Sequence, residues 1–362
     1  MDNKLKLARE KINEIDTEMA KLFVERLKAS EMVAEYKKEH GLEILDPIRE
    51  AEVIRRNSES VENDVYREYY VNFQKNTMSL SRSYQARILE GMTVAYSGTE
   101  GAYAHLAARK LFPTAKTVAC ASFDEAYLKV EAGECDAAVL PIENSYNGDV
   151  GQVSDLMFSG SLYVNTVTEL PISHDLLAPK GTKLEDITTV ISHPQALGQC
   201  HGYITKNGYS EIEFSNTALA AKYVSDNADG KTAAIASAAA AEIFGLDVLA
   251  TNINESRVNT TRFAVFSRSE NKHSITDKRV HSILLFTVRH EAGALAKALE
   301  IIAKYGFNMG AVRSRPMKEL LWQYYFYIET EGNLESDNGR RMLSELKEYC
   351  DRLKTVGSYT VI

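Results

Sequence analysis

Near the end of the second third of this 362-residue chain, "NTTRFAVFS" (Asn259 to Ser267) opens an apolar run, Phe263 to Phe266, with Thr261-Arg262. Arginine keeps its charge at any ordinary pH, so a buried or half-buried one needs a carboxylate or phosphate beside it. The sequence supplies no acid within three residues on either side of Arg262. Either a distant Asp or Glu pairs with it, or its partner arrives from solution as a ligand. Two further stretches set polar groups just after apolar runs. "PIENSYNG" (Pro141 to Gly148) places Glu143, Asn144 and Ser145 behind "AAVL", and "SHPQALGQC" (Ser192 to Cys200) places His193 and Gln195 behind "TTVI". Taken singly, each also reads as a helix cap in a turn. A separate set lies near the N-terminus. Arg26 and Lys37 are eleven residues apart, so on a helix they point within about 20° of each other, roughly 16 Å apart. Their long side chains can converge on one small anion. Arg9 lies on another face, roughly 25 Å from Arg26 along the axis. It reaches such a pocket only from a second chain. Arg49 and Glu50 follow Asp46-Pro47, while Ser81 and Gln85 sit at i, i+4.

The elements that must position these groups follow three grammars. Residues 1–90 read as helices throughout. Ile12, Ile15, Met19, Leu22 and Phe23 form a helical stripe, and the first helix runs from about Asn3 to Glu39. A second helix begins at Asp46-Pro47, with Asp as N-cap and Pro at the first helical position, and a third covers about Asp64 to Glu90. Three helices with one very long member do not enclose a core, which predicts packing against a partner chain. From Met92 to about Ser269, short β runs ("MTVAYSG", "AAVLPIEN", "TTVISHP", "TRFAVFS") alternate with helices ("GAYAHLAARKLF", "FDEAYLKVEAG", "TALAAKYVSDN"). In such α/β folds the active groups lie at strand C-termini or in a cleft between lobes. The stretch Thr232 to Ala250 reads as a close-packed helix and a following strand. After the polar linker "RSENKHSITDKRV", the last segment reads βαββαβ, with "LWQYYFYIET" as its third strand.

Composition narrows the function classes. Hydrophobic content of 44% and charged content of 25% fit a soluble globular protein of two or three domains. A net charge of −8 and the lack of a basic run argue against nucleic acid as a partner. Residues 1–90 hold 16 Lys and Arg against 18 Asp and Glu, so no general basic surface explains Arg26 and Lys37. Cys120, Cys135, Cys200 and Cys350 are widely spaced, which fits reduced thiols in a cytoplasm and no zinc site. No signal-peptide pattern, membrane span, GxGxxG or P-loop is read, so no membrane, nucleotide, metal or other cofactor is expected.

Several motifs carry family resemblances. "LAREKINEIDTEMAKLFVERLKASEMVAEYKK", "DPIRE" and "SLSRSYQ", in this order, resemble the all-helical chorismate mutase family. The resemblance implies that Arg9 of a partner chain, Arg26 and Arg49 hold the two substrate carboxylates. It also implies that Lys37 and Gln85 donate to the breaking ether oxygen, with Glu50, Asp46 and Ser81 at hydroxyl or carboxylate edges. Such a unimolecular rearrangement needs no nucleophile. It needs a compact dianion held in a reactive conformer and charge stabilised on one oxygen. "GTEGAYAHLAA", "PIENSYNG", "SHPQALGQC", "AAIASAAAAEIFGLDVLA" and "NTTRF" resemble the prephenate and arogenate dehydratase family. That family has two α/β lobes around a cleft, like periplasmic binding proteins. By resemblance, Thr261 faces the leaving hydroxyl, Arg262 meets a substrate carboxylate and Glu143 is a possible proton source. Asn144, Ser145, His193 and Gln195 line the cleft. Ala102 and Ala104 depart from the Ser or Thr of many relatives, and "GAYA" is nearer the arogenate-type "GAYS".

"GALAKAL" (Gly293 to Leu299) and "RSRP" (Arg313 to Pro316) resemble the motifs of the ferredoxin-like ACT domain, which binds phenylalanine as a feedback inhibitor in these enzymes. The implied effector residues are Gly293, Ala294, Leu295, Arg313, Ser314, Arg315 and Pro316, with Arg313 in the place of the usual Glu. The expected organisation is a mutase domain (1–90), a dehydratase domain (91–270) and an ACT domain (278–362) in a cytoplasmic homodimer. Chorismate and prephenate are the expected substrates. An arogenate dehydratase and a non-enzymatic amino-acid sensor are the alternatives. "PIENS" with "TRF" weighs against the sensor, which needs no threonine at a leaving hydroxyl.

Overall fold

The computed structural model describes residues 2–256, 258–271, 280–317 and 323–362. Most of the linker and the start of "LWQYYFYIET" lie outside the described residues. The chain divides into two compact units, Met1–Thr93 and Val94–Ile362.

The first unit is three helices, α1 (Asp2–His40), α2 (Pro47–Glu59) and α3 (Asp64–Glu90). Local chemistry explains the boundaries. The Asp46 carboxylate accepts from the Arg49 N–H at 2.9 Å at the start of α2, and Asn63 accepts from the Tyr66 N–H at 3.0 Å at the start of α3. Gly41, at φ +63°, turns the chain out of α1. Only Ser30, Ala34, Thr77, Met78, Ser81 and Gln85 of the described side chains here are buried. The stripe from Ile12 to Phe23 is exposed along α1.

The second unit holds two sheets. Its first lobe runs β1 (Thr93–Ser97), α4 (Tyr103–Leu111), β2 (Lys116–Cys120), α5 (Phe123–Glu131), β3 (Ala137–Asn144), β4 (Gly148–Asp149), α6 (Gly151–Ser159) and β5 (Tyr163–Pro171). The second lobe follows as β6 (Asp175–Ala178), β7 (Thr189–Ser192), α7 (Pro194–Gln199), α8 (His201–Asn207), β8 (Ser210–Glu213), α9 (Thr217–Asn227), β9 (Thr232–Ala236), α10 (Ala238–Phe244) and β10 (Asp247–Ala250). The chain returns to the first lobe through β11 (Thr260–Ser267). The second-lobe sheet has the order β10-β6-β9-β7-β8. Residues Thr232 to Ala236 are therefore a strand and not the start of a helix. The alanines suit it, because β9 pairs with both β6 and β7, and Ala234 and Ala236 are buried in one core cluster with Ala220, Ala221 and Ala240 of the covering helices.

The C-terminal segment is β12 (Val280–Val288), α11 (Ala294–Lys304), β13 (Asn308–Pro316), β14 (Tyr324–Glu331), α12 (Asp337–Tyr349) and β15 (Cys350–Val361), the expected βαββαβ order. Its sheet is continuous with that of the first lobe, in the order β13-β14-β12-β15-β5-β11-β3-β1-β2, with β4 on β3. The joint is a short parallel pairing, Thr360 with Thr166 and Val361 with Val167. Gly357 permits it. Its φ is +131°, and a Cβ there would lie 2.6 Å from the Val164 carbonyl oxygen.

Candidate active sites

In the helical unit, α1 and α3 bring Arg26, Ser81 and Gln85 onto one seam. The Arg26 guanidinium donates to the Ser81 hydroxyl and, at 3.3 Å, to the Thr77 carbonyl. Burial lowers the Arg26 pKa, and the Glu50 carboxylate opposes that shift. Glu50 itself is ion-paired with Arg82. Gln85 is buried, and its Oε1 has no hydrogen-bond partner among the described residues, which is unusual for a native side chain. The ammonium of Lys37 donates to the Ile44 carbonyl, and exposed Arg49 pairs with Glu52 at 2.8 Å. Asp46 serves as the α2 cap, and Arg9 is exposed on the first turns of α1.

In the second unit a cleft of about 750 Å³ opens between the lobes. Register decides what faces it. On β11 and β3, Thr261 stands opposite Asn144 and Arg262 opposite Glu143. Side chains alternate along a strand, so the two pairs project from opposite faces. Thr261, Phe263 and Asn144 line the cleft, as do His193 and Gln195. His193 also caps α7, its Nδ1 accepting from the Gln195 N–H at 3.2 Å, and burial lowers its pKa.

Arg262 and Glu143 point the other way, which corrects both assignments. Arg262 is 18% exposed and donates twice to Glu329, at 3.0 and 2.9 Å, and once to Tyr359 Oη at 3.0 Å. It also pairs with Glu143 at 3.2 Å, and Glu143 is shared with Arg313. The partner of Arg262 is thus a distant acid, not a substrate carboxylate. Burial alone would raise the Glu329 carboxyl, yet the guanidinium of Arg262 holds it below the usual range. The Glu143 carboxylate, bound between two guanidiniums, is turned away from the leaving-group side. Ser145 is also corrected. It is tied to the strand ends, donating to the Val258 carbonyl and accepting from the Thr260 N–H, both at 3.0 Å, and is not among the cleft-lining residues.

The Thr261 hydroxyl ends a chain of amides. Asn144 Nδ2 donates to Thr261 Oγ1 at 2.9 Å and to Asn259 Oδ1 at 2.8 Å. Asn144 Oδ1 accepts from the Tyr146 and Asn147 N–H groups, which fixes the amide orientation. Asn259 Nδ2 in turn donates to Gln199 Oε1 at 3.0 Å, and His174 Nε2 meets the same oxygen at 2.9 Å. Because that oxygen accepts, Nε2 carries the proton. Burial lowers the His174 pKa, so the ring is neutral, and its Nδ1 has no partner among the described residues. Sequence reasoning missed His174, Gln199 and Asn259. The last two stand inside quoted motifs, whereas "PISHD" around His174 carries no signal of its own.

Among the described residues no lysine or arginine lines the cleft. The N-terminal turns of α4, α5, α6 and α9 face it instead, and those of α4 and α6 have no side-chain cap. Free backbone N–H groups at helix starts are natural anion sites.

At the C-terminal segment, Gly293 starts α11 with φ +88° and open space at its Cβ position, Ala294 follows, and Leu295 packs on the segment's core. Ser314 and Pro316 lie on β13. The guanidiniums of Arg313 and Arg315, on the same strand, are bound to Glu143 and to Asp155 of the first lobe.

Comparisons with known proteins agree with this arrangement. Residues 8–86 match the model of chorismate mutase type II, and residues 94–271 that of prephenate dehydratase. The bifunctional chorismate mutase/prephenate dehydratase of Aquifex aeolicus is 33% identical over 98% of this chain and 97% of its own. The chain belongs to that family. As a bifunctional chorismate mutase/prephenate dehydratase it also shares 38% identity with arogenate dehydratase 2 of Petunia hybrida, over 74% of this chain and 71% of the relative. Prephenate dehydratase from Arthrobacter aurescens, solved in complex with L-Phe, superposes with a TM-score of 0.69 at 27% identity, covering 74% of this chain and 90% of that one.

Proposed function

We propose that the α1–α3 seam rearranges chorismate to prephenate and that the interlobe cleft converts prephenate to phenylpyruvate. The observation that carries the second step is the Thr261 hydroxyl, which faces the cleft while its oxygen accepts from Asn144. Its proton is then available to the departing hydroxyl of the substrate. Loss of carbon dioxide supplies the electron pair that aromatises the ring, and hydroxide is the poor leaving group, so a donor at that oxygen lowers the barrier. The substrate carboxylates fall to helix N-termini and amide donors. In the helical seam, Arg26, Arg49 and a partner chain's Arg9 would hold the two carboxylates, with Lys37 and Gln85 donating to the breaking ether oxygen. Neither reaction requires a metal or cofactor.

The C-terminal βαββαβ segment (278–362) is read as an ACT domain, following domains at 1–90 and 91–270. Phenylalanine is its proposed effector, bound beside the open turn at Gly293. The uncovered stripe on α1 supports a homodimer, and four cysteines outside any disulfide support a cytoplasmic location. One observation favours arogenate as a second substrate of the cleft. Asp124 lines it, no lysine or arginine does among the described residues, and a carboxylate there suits the ammonium that arogenate carries and prephenate lacks. Separate incubation of the purified chain with chorismate, prephenate and arogenate tests these readings. Arg26→Ala should abolish turnover of chorismate and leave that of added prephenate near normal. Equal loss of both in a folded protein would overturn the two-site assignment.

A further inference from the structure

The edge strand β13 carries two arginines, and both are committed to the first lobe. Arg313 pairs with Glu143 while lying 5.1 Å from the Tyr327 ring centroid. Glu143 pairs in turn with Arg262, and Arg262 with Glu329, giving a neutral row of alternating charges under the Thr261–Asn144 pair. Arg315 makes two bonds to Asp155, at 3.1 and 3.2 Å, and approaches Asp149 at 3.6 Å. Tyr325 Oη donates to the same Asp155 at 2.8 Å. The guanidinium of Arg315 lies so close to the start of α6 that a Cβ on Gly151 would fall 2.0 Å from its Nη1. A cation at a helix N-terminus is unfavourable alone, and Asp149 and Asp155 neutralise it. Asp149, Gly151 and Gln152 are also wall residues of the cleft.

We infer that Arg313 and Arg315 are positioning residues of the dehydratase cleft, through which the C-terminal sheet holds its wall. Arg313 acts on Asn144 and Thr261 through Glu143 and Arg262, one residue away on each strand. Arg315 sets the turn from β4 into α6. The inference rests on the dehydratase reading of the cleft. Because the wall is held by β13, any ligand that moves β13 moves the wall, and neither arginine has to touch that ligand.

The test uses the full chain with Arg313→Met and Arg315→Met, which keep stem volume and remove the charge. Displacement of a reacting group by about 1 Å can lower turnover on the order of 100-fold. Each variant is therefore expected to lower dehydratase kcat ~10- to 100-fold, with KM for prephenate changed less. Mutase turnover of chorismate should hold, as should calorimetric binding of phenylalanine. Arg315→Lys and Arg313→Lys should recover part of the lost kcat, and they decide the matter if the Met variants do not fold. Unchanged kcat in all variants would overturn the inference, as would lost phenylalanine binding with normal kcat. Failure of the dehydratase reading itself is distinguishable, because wild type would then show no turnover of prephenate.

Discussion

A threonine hydroxyl offers one proton and two lone pairs, and the Asn144 amide occupies one lone pair from 2.9 Å. The proton is left to point into the cleft, where a leaving oxygen can take it. Thr261→Val preserves shape and removes that donor, so dehydratase kcat should fall roughly 100-fold or more, as for loss of one preorganised donor elsewhere. Retention of most of the wild-type kcat would remove Thr261 from the mechanism. His174 makes a different kind of prediction. Its folded pKa lies below the ordinary 6.5 because burial disfavours the charged ring. Below 6.5 the unfolded chain binds the extra proton first, so this histidine's contribution is present at neutral pH and is lost as pH falls towards the depressed value. Thermal midpoints at pH 7.5 and 5.5 should therefore drop further for wild type than for His174→Gln. Equal drops in the two proteins would place the acid sensitivity elsewhere.

At the scale of elements, what the sequence discloses is what local rules decide. Asp46-Pro47 as a helix start is visible because capping acts within three residues, and α3 begins and ends where expected, at Asp64 and Glu90. The strand "AAVLPIEN" is legible for a similar reason, since its apolar run and turn residues are contiguous. The face each side chain takes is not legible. Both faces of β11 are covered, one by the cleft and the other by groups from the C-terminal sheet. Alternation therefore separates Thr261 from Arg262 without saying which one meets substrate. Glu329, the acid that decides it, is 67 residues away in sequence. The same long-range joint makes Gly357 critical. An alanine there meets the Val164 carbonyl oxygen at 2.6 Å in a backbone conformation side chains avoid. Gly357→Ala should cost about 2–4 kcal/mol, combining strain with overpacking. Denaturant midpoints for wild type and variant would measure it, and a shift equivalent to less than about 0.5 kcal/mol, the usual surface effect, would mean that the joint is not made in solution.

At the scale of the whole molecule, the helical unit presents a problem that its own three helices do not solve. A helix of 39 residues is about 58 Å long, and its apolar stripe has little of this unit to pack on. Ile15 is 48% exposed and Leu22 63%, and their seven-residue spacing puts both on one face. Transferring such side chains out of water contributes roughly 1.5–3 kcal/mol each, enough for several of them to hold two chains together. The same pairing answers the placement of Arg9. It stands roughly 25 Å from Arg26 on its own helix, beyond any side chain's reach, yet an antiparallel neighbour would bring it to the opposite seam. In the proposed homodimer, covering the stripe and completing the mutase site are one event. Leu22→Glu puts a charge into that contact and leaves the cleft untouched. Sedimentation should show the mass falling from two chains to one, with mutase turnover lost and dehydratase turnover within about twofold of wild type, as for a surface change remote from the cleft. A variant that stays at the wild-type mass with full mutase turnover would show that α1 faces solvent and that Arg9 has no part in the reaction.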